Sequence, residues 1–275
     1  MPELPETETI ARDLDAAIGG RTIRRVRVTK ADVLREVTPP RFTRRVTGAT
    51  IARAWRRAKL VVLDLSTADR VVVQPRFTGA LLIDDGALPS EERRYSTLEL
   101  ALDDGRSLHY RDIRRLGTVA LMSPARFADY AGGLGVEPLD PAFTDEHLSA
   151  LLSASRQAVK KVLMDQRRIA GIGNIYANEA LWRARVNPSR PARNVTRDET
   201  TRLRASVLDV LRQSIAARGT SFRDYRDAAG QRGGFAAHLA VYGRAGQPCA
   251  RCGAGLIGTY EIDGRSTVLC ARCQE

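Results

Sequence analysis

The chain has 275 residues, 43% of them hydrophobic, which is enough for two or three folded domains and too many for general disorder. Lysine and arginine number 44 against 32 aspartates and glutamates, a net charge of +12 that points to a polyanionic partner, usually nucleic acid, with a merely solubilising surface as the alternative. No apolar run reaches the roughly 18 residues of a membrane span, and the polar, acidic start from Met1 to Glu8 predicts no secretory signal.

In chain order, the spacing of Ile10, Leu14 and Ala17 predicts a helix over residues 6–18, stopped by Gly19 and Gly20. β-rich stretches follow at 22–29, 58–65, 70–83, 96–112 and 117–122. Asp103-Asp104-Gly105 is a hairpin signal between two alternating runs. Many short strands with close turns predict a sandwich or barrel. Gly132-Gly133 and the stretch from Pro138 to Pro141 read as a linker. Helices are then predicted at 145–155, 158–166, 174–186 and 196–218. In the last, Thr196 and Glu199 form a capping-box pattern, and Leu203, Val207, Leu211 and Ile215 form an apolar stripe that reads as core. The fold class is α+β and multidomain: a β domain with an N-terminal helix, a helical domain and a small metal ribbon.

All four cysteines lie within residues 249–273, as Cys249-x2-Cys252 and Cys270-x2-Cys273. Four thiolates at this spacing suit a closed tetrahedral zinc site in a reducing compartment, with a redox dithiol as the alternative. Residues 256–260 and 266–269 can pair as a hairpin between them. A closed site leaves no open coordination position, so the zinc is structural, and it supplies much of the module's folding free energy. The module carries Arg251, Arg265 and Arg272. A rigid hairpin with an exposed arginine can enter a nucleic-acid groove; a solvated arginine is the plain alternative. Only Lys30, Lys59, Lys160 and Lys161 are lysines, and every other basic residue is arginine. An amine can exchange protons and form imines where a guanidinium cannot, so a lysine kept in this background carries information.

Met1-Pro2-Glu3-Leu4-Pro5-Glu6-Thr7-Glu8 closely resembles the N-terminus of formamidopyrimidine-DNA glycosylases. Gly171-Ile172-Gly173-Asn174-Ile175-Tyr176-Ala177-Asn178-Glu179-Ala180-Leu181 resembles that family's helix–two-turn–helix segment. Val241-Tyr242-Gly243-Arg244, with the cysteine ribbon and Gly264-Arg265-Ser266-Thr267, resembles its C-terminal finger. The resemblance implies a catalytic β-sandwich over 1–131, a helix–two-turn–helix domain over 132–240 and a zinc finger over 241–275. It also implies a bifunctional glycosylase and AP lyase of the bacterial cytoplasm, acting as a monomer on duplex DNA that carries an oxidised purine or an abasic site.

The residue types fit that chemistry. Removal of Met1 exposes Pro2 as a secondary amine, and α-amines titrate at about 8, so part of the population is neutral at physiological pH. Such an amine can attack C1′ of a nucleotide and form a cationic imine. By resemblance Glu3 protonates the sugar ring oxygen, and Glu6 supports the pocket, although a first-turn carboxylate also complements the helix dipole. Lys59 matches the family's hairpin lysine, which assists proton transfer, and Arg265 the finger arginine that contacts phosphates. Asn174 opens a helix whose N-terminus suits a phosphate, and Lys160 matches a further backbone contact or plain surface charge. Base extrusion leaves a gap, filled by resemblance by Phe77, Arg114 and Leu116. Phe77 and Leu116 depart from the family's usual Met and Phe, Tyr95 stands where His is common, and Gln74-Pro75-Arg76 replaces the usual His-Leu-Gly. These departures leave the opposite-base preference open. Residues 219–236 resemble the loop that covers an oxidised purine. An endonuclease VIII-like enzyme for oxidised pyrimidines is the first rival, though such enzymes commonly have Gly where this chain has Leu4. A catalytically silent lesion-binding protein is the second, and a generic zinc-ribbon binder a distant third.

Overall fold

The computed structural model describes residues 2–221 and 224–275. The N-terminal helix α1 (Leu4–Ile18) buries Leu4, Ile10, Leu14 and Ile18. Pro5 costs it nothing, because first-turn N–H groups have no acceptor within a helix. The chain continues through β1 (Ile23–Val28), β2 (Leu34–Arg35), α2 (Pro39–Val46), β3 (Ile51–Arg57), β4 (Leu60–Leu65), β5 (Arg70–Gln74) and β6 (Gly79–Asp84). After these come α3 (Ser90–Arg94), β7 (Ser96–Leu102), β8 (Ser107–Asp112), β9 (Thr118–Met122) and α4 (Pro124–Gly132). The strands form two sheets, β1-β7-β8-β6 and β2-β9-β5-β4-β3. All pairs are antiparallel except β2 with β9.

One core joins both sheets, α1 and α2. Val61, Leu63, Val71 and Val73 come from one sheet, and Leu98, Leu100, Leu108 and Tyr110 from the other. Ile10, Leu14 and Ile18 of α1 enter the same cluster with Phe42 and Val46 of α2. β4 is apolar along almost its whole length because it lies between β3 and β5 and also packs against α1. The predicted stretch 70–83 divides into β5 and β6 around Pro75, which has no N–H to give a ladder. Sequence periodicity missed α2 because its Pro39-Pro40 start reads as a breaker, whereas proline is favoured in a first turn.

The later elements are α5 (Asp145–Ser153), α6 (Val159–Met164), α7 (Asn174–Ala184), α8 (Arg197–Ala216) and the hairpin β10 (Ile257–Thr259) with β11 (Thr267–Leu269). The capping box that starts α8 is formed: Thr196 N–H donates to Glu199 Oε2 at 2.8 Å, and Glu199 N–H to Thr196 Oγ1 at 3.3 Å. The chain divides into two compact units. One comprises Met1–Gly132 with Ile215–Ala236, the other Gly133–Ser214 with Ala237–Glu275. The helices and finger therefore share one unit, where the sequence suggested a boundary at 240/241. The physical reason is Glu179, whose buried carboxylate accepts the N–H groups of Ala240, Val241 and Tyr242 at 2.8–2.9 Å. Residues 215–236 group instead with the sandwich; residues 222 and 223 of that stretch lie outside the described residues.

Candidate active site and nucleic-acid interface

Pro2, Glu3 and Glu6 are all buried at the start of α1. Glu6 is the third residue of the helix, and its Oε2 accepts the N–H of Glu3 at 2.8 Å, closing the first turn. Its Oε1 accepts the N–H of Thr220 at 2.8 Å. The Glu6 carboxylate thus joins the peptide next to Pro2 to the segment that follows α8.

Lys59 lies in the two-residue turn between β3 and β4, whose last pair is Arg57 with Leu60. Such a turn needs a left-handed residue, and Ala58 supplies it at φ +52°. Arg56 fastens the turn to α1. Its Nε donates to Glu8 Oε2 at 2.8 Å and its Nη1 to the Ala58 carbonyl at 3.0 Å. Lys59 itself is buried. Burial alone would raise the Glu8 pKa, but the guanidiniums of Arg56 and Arg12 outweigh it and hold the carboxyl below its ordinary range.

Phe77, Arg114, Leu116 and Tyr95 are exposed, and Asp112 gathers the loops that carry them. Asp112 Oδ1 accepts from Thr78 Oγ1 at 2.6 Å and from the Arg115 N–H at 3.0 Å. Its Oδ2 accepts from the Gly117 N–H at 2.8 Å, and its own N–H donates to the Tyr95 carbonyl at 3.1 Å. Thr78 Oγ1 in turn accepts the Arg114 N–H at 3.0 Å. Gly117 is obligatory, since a Cβ there would lie 2.0 Å from the Tyr110 hydroxyl. The Arg114 guanidinium stands 5.0 Å over the Phe77 ring, a cation–π contact. Ile113, a third exposed apolar side chain beside Arg114, escaped the sequence reading, as did Asp112 and Thr78. Nothing in an Arg-Asp-Ile-Arg-Arg run marks its one acid as the organiser.

In the second unit Lys160, Asn174 and the Arg265 turn come together. The Ser266 carbonyl accepts from Lys160 Nζ at 3.0 Å and from Asn174 Nδ2 at 2.9 Å. Lys160 also donates to Thr267 Oγ1 at 2.7 Å, and Asn178 Oδ1 accepts the Val268 N–H at 2.8 Å. Lys161 pairs with Asp263 at 2.8 Å in the same turn. Arg265 itself is exposed. Lys160 is 0% exposed, and its ammonium and the Asn174 side-chain amide both brace the turn that carries Arg265.

The four cysteine sulfurs lie within 4.8 Å of one another. Burial would raise the Cys249 thiol, but chiefly the Arg251 N–H outweighs it and brings it down to about 6. Burial and the neighbouring sulfurs push Cys273 up to about 12. Four adjacent thiolates repel one another and require a cation. The soft, convergent donor set fits one zinc ion with structural duty, and Cys249, Cys252, Cys270 and Cys273 hold it.

Comparison with known proteins gives three consecutive matches along the chain. Residues 1–119 match the formamidopyrimidine-DNA glycosylase N-terminal domain, and residues 134–226 the H2TH domain of that enzyme. Residues 246–275 match the zinc finger found in FPG and IleRS. The chain is 44% identical over 255 residues to the formamidopyrimidine-DNA glycosylase of Moorella thermoacetica, covering 92% of each chain. It is 42% identical to that of Carboxydothermus hydrogenoformans over 100% of both. Wild-type Lactococcus lactis Fpg, solved with DNA containing N7-benzyl-Fapy-dG, superposes with a TM-score of 0.91 at 29% identity, covering 100% of both chains.

Two outcomes follow from this geometry. Glu8 has a depressed folded pKa, so its stabilisation is complete above the unfolded value of about 4.3 and is lost as pH falls through the folded one. Glu8→Gln is therefore expected to be less stable than the parent in urea at pH 7, with the gap closing below about pH 4. For the finger, Cys252→Ser is expected to lower zinc content from one ion per chain to well under one by mass spectrometry of the native protein. Amide-exchange protection of β10 and β11 is lost with it.

Proposed function

The chain belongs to the formamidopyrimidine-DNA glycosylase family, and we propose that the secondary amine of Pro2 is its nucleophile. The protein is a base-excision repair glycosylase that removes oxidised purines from duplex DNA and carries the family's AP lyase activity. The observation that supports the residue assignment is the buried first turn of α1, where Glu3 directly follows Pro2 and Glu6, three residues on, closes the turn.

With Met1 removed, the Pro2 nitrogen attacks C1′ of the damaged nucleotide. The C1′–base bond breaks, and the base leaves with its electron pair and takes up a proton. The positive end of α1 favours the neutral amine that this attack needs. Glu3 then protonates the ring oxygen, the ring opens, and a cationic imine joins Pro2 to C1′. That cation makes the C2′ proton acidic. Its removal expels the 3′ phosphate by β-elimination, and a second elimination expels the 5′ phosphate. Lys59 assists these proton transfers from its fixed turn. Phe77, Arg114 and Leu116 fill the gap left by the extruded nucleotide, and Tyr95 meets a phosphate. Arg265, braced by Lys160 and Asn174, contacts backbone phosphates. The zinc holds the hairpin that carries it. Among the described residues no helix is long and apolar enough to cross a membrane. The bacterial cytoplasm, at the nucleoid, suits both the substrate and the reduced zinc-binding thiols.

Borohydride trapping tests the nucleophile. Wild type with duplex DNA carrying 8-oxoguanine opposite cytosine is expected to give a stable adduct on the lesion strand, strongly reduced in Pro2→Gly and Glu3→Gln. An adduct only with a preformed abasic site would keep the lyase and move the base preference, for instance toward oxidised pyrimidines. No adduct on either substrate, with Met1 removed and zinc bound, would make the chain a silent binder.

A second outcome concerns Asp112. Asp112→Asn loosens the turn that aims Arg114, so discrimination between cytosine and adenine opposite the lesion is expected to fall roughly five- to tenfold, the scale of one buried hydrogen bond. AP lyase activity stays near the parent's. Equal losses on both substrates would remove Asp112 from this role.

A further inference from the structure

The segment after α8 is fastened to α1 inside the first unit, and Arg218 stands at its neck. Arg218 has φ +60° and Gly219 φ +86°, two consecutive left-handed residues. Glycine adopts that conformation freely; arginine does so only where its surroundings hold it. Those surroundings are two carboxylates. Arg218 Nη2 donates to Asp13 Oδ2 on α1 at 2.5 Å and to Asp227 Oδ2 at 2.6 Å, and Nε adds a bond to Asp227 at 2.9 Å. Asp227 is buried, and its other oxygen accepts the N–H groups of Ala229 at 3.1 Å and Gln231 at 2.7 Å. The neck is closed by Gly234 N–H to the Ala217 carbonyl at 2.8 Å and Phe235 N–H to the Gly219 carbonyl at 3.0 Å.

This turn delivers the next residue to the catalytic helix. A Cβ at Gly219 would stand 3.0 Å from Glu6 Oε1, so the backbone passes directly against that carboxylate. Thr220 N–H then reaches Glu6 Oε1, while Glu6 Oε2 holds the Glu3 N–H. The Tyr225 hydroxyl sits between the carbonyls of Arg218 at 3.2 Å and Glu6 at 3.4 Å. We propose that Arg218, gripped by Asp13 and Asp227, is a positioning residue for the N-terminal nucleophile. It locks the left-handed turn that sets Thr220 on Glu6, and through Glu6 it fixes the Pro2–Glu3 peptide. The inference rests on the reading of Pro2 as nucleophile and adds to it residues far along the chain.

The test separates the reacting step from DNA binding. Single-turnover borohydride trapping at a preformed abasic site reports the nucleophile's placement. Affinity for a duplex carrying a tetrahydrofuran abasic analogue reports binding. Arg218→Ala is expected to slow trapping about tenfold, since small misplacements of a reacting group cost that much or more, with affinity changed by less than about twofold. Arg218→Gly, which takes the left-handed turn without the ion pairs, is expected to recover most of the rate. Asp13→Asn, which removes one of the two ion pairs, slows trapping less, in the same direction. Trapping undiminished in Arg218→Ala, a glycine variant as slow as the alanine one, or rate and affinity falling together would each overturn the positioning role. A wild type that traps no abasic-site DNA would overturn the nucleophile reading instead.

Discussion

Chain termini fray, because their backbone groups lack partners on one side. The proposed nucleophile, first in the chain once Met1 is removed, has to defeat that tendency, and the start of α1 is held on several sides. Leu4, Ile10, Leu14 and Ile18 sink α1 into the core, which fixes the helix axis. The axis alone leaves the first turn loose, since its N–H groups have no helical acceptor. Glu6 removes that freedom by taking the Glu3 N–H, and Thr220 then pins Glu6 from the opposite end of the same unit's sequence. Arg56 does the equivalent for the Lys59 turn by holding Glu8 and the Ala58 carbonyl together. Two charged side chains, neither of them in contact with substrate in the proposed mechanism, therefore set the geometry of those that are.

The same division recurs where the protein is to meet DNA. Exposed groups are carried on turns whose backbone is over-determined from below. Asp112 gives Phe77, Arg114, Leu116 and Tyr95 a common anchor, and the Ser266 carbonyl does this for Arg265. Zinc completes the second case, because the finger is too small to hold its hairpin by apolar burial. An exposed arginine on a mobile support would lose rotamer and backbone freedom on binding, and a preformed turn removes much of that cost.

What the sequence disclosed and what it hid divide along physical lines. Cysteine spacing, the Thr196–Glu199 capping box and the α8 stripe were legible because each is a local pattern with one meaning. Pro2 and Glu3 are singled out only through resemblance, since a second-position proline says nothing alone, and Lys59 through resemblance together with its place in an arginine background. Hidden were the residues whose partners lie far away in sequence. Glu179 reads as an ordinary helix acid until its three N–H partners at 240–242 are seen. Asp112 has no local pattern, and Arg218 reads only as the last residue of the helix predicted over 196–218. The helix α2 was missed for a different reason, because proline ends helices in one place and begins them in another.

The four lysines show how far a compositional signal can be pressed. In a chain that otherwise uses arginine for positive charge, each lysine carries a little more information, and resemblance singles out Lys59 and Lys160. Lys59 is buried in the β3–β4 turn, and in the proposed mechanism it is the amine that exchanges a proton, which a guanidinium cannot do. Lys160 is also buried, and its ammonium donates to the Ser266 carbonyl and Thr267 Oγ1 beneath the Arg265 turn. Its neighbour Lys161 holds Asp263 in the same turn. Lys30 stays on the surface. The two buried lysines thus sit one in a turn and one beneath a turn, where the compact size of an amine matters, while Lys30 is exposed and Lys161 pairs with Asp263.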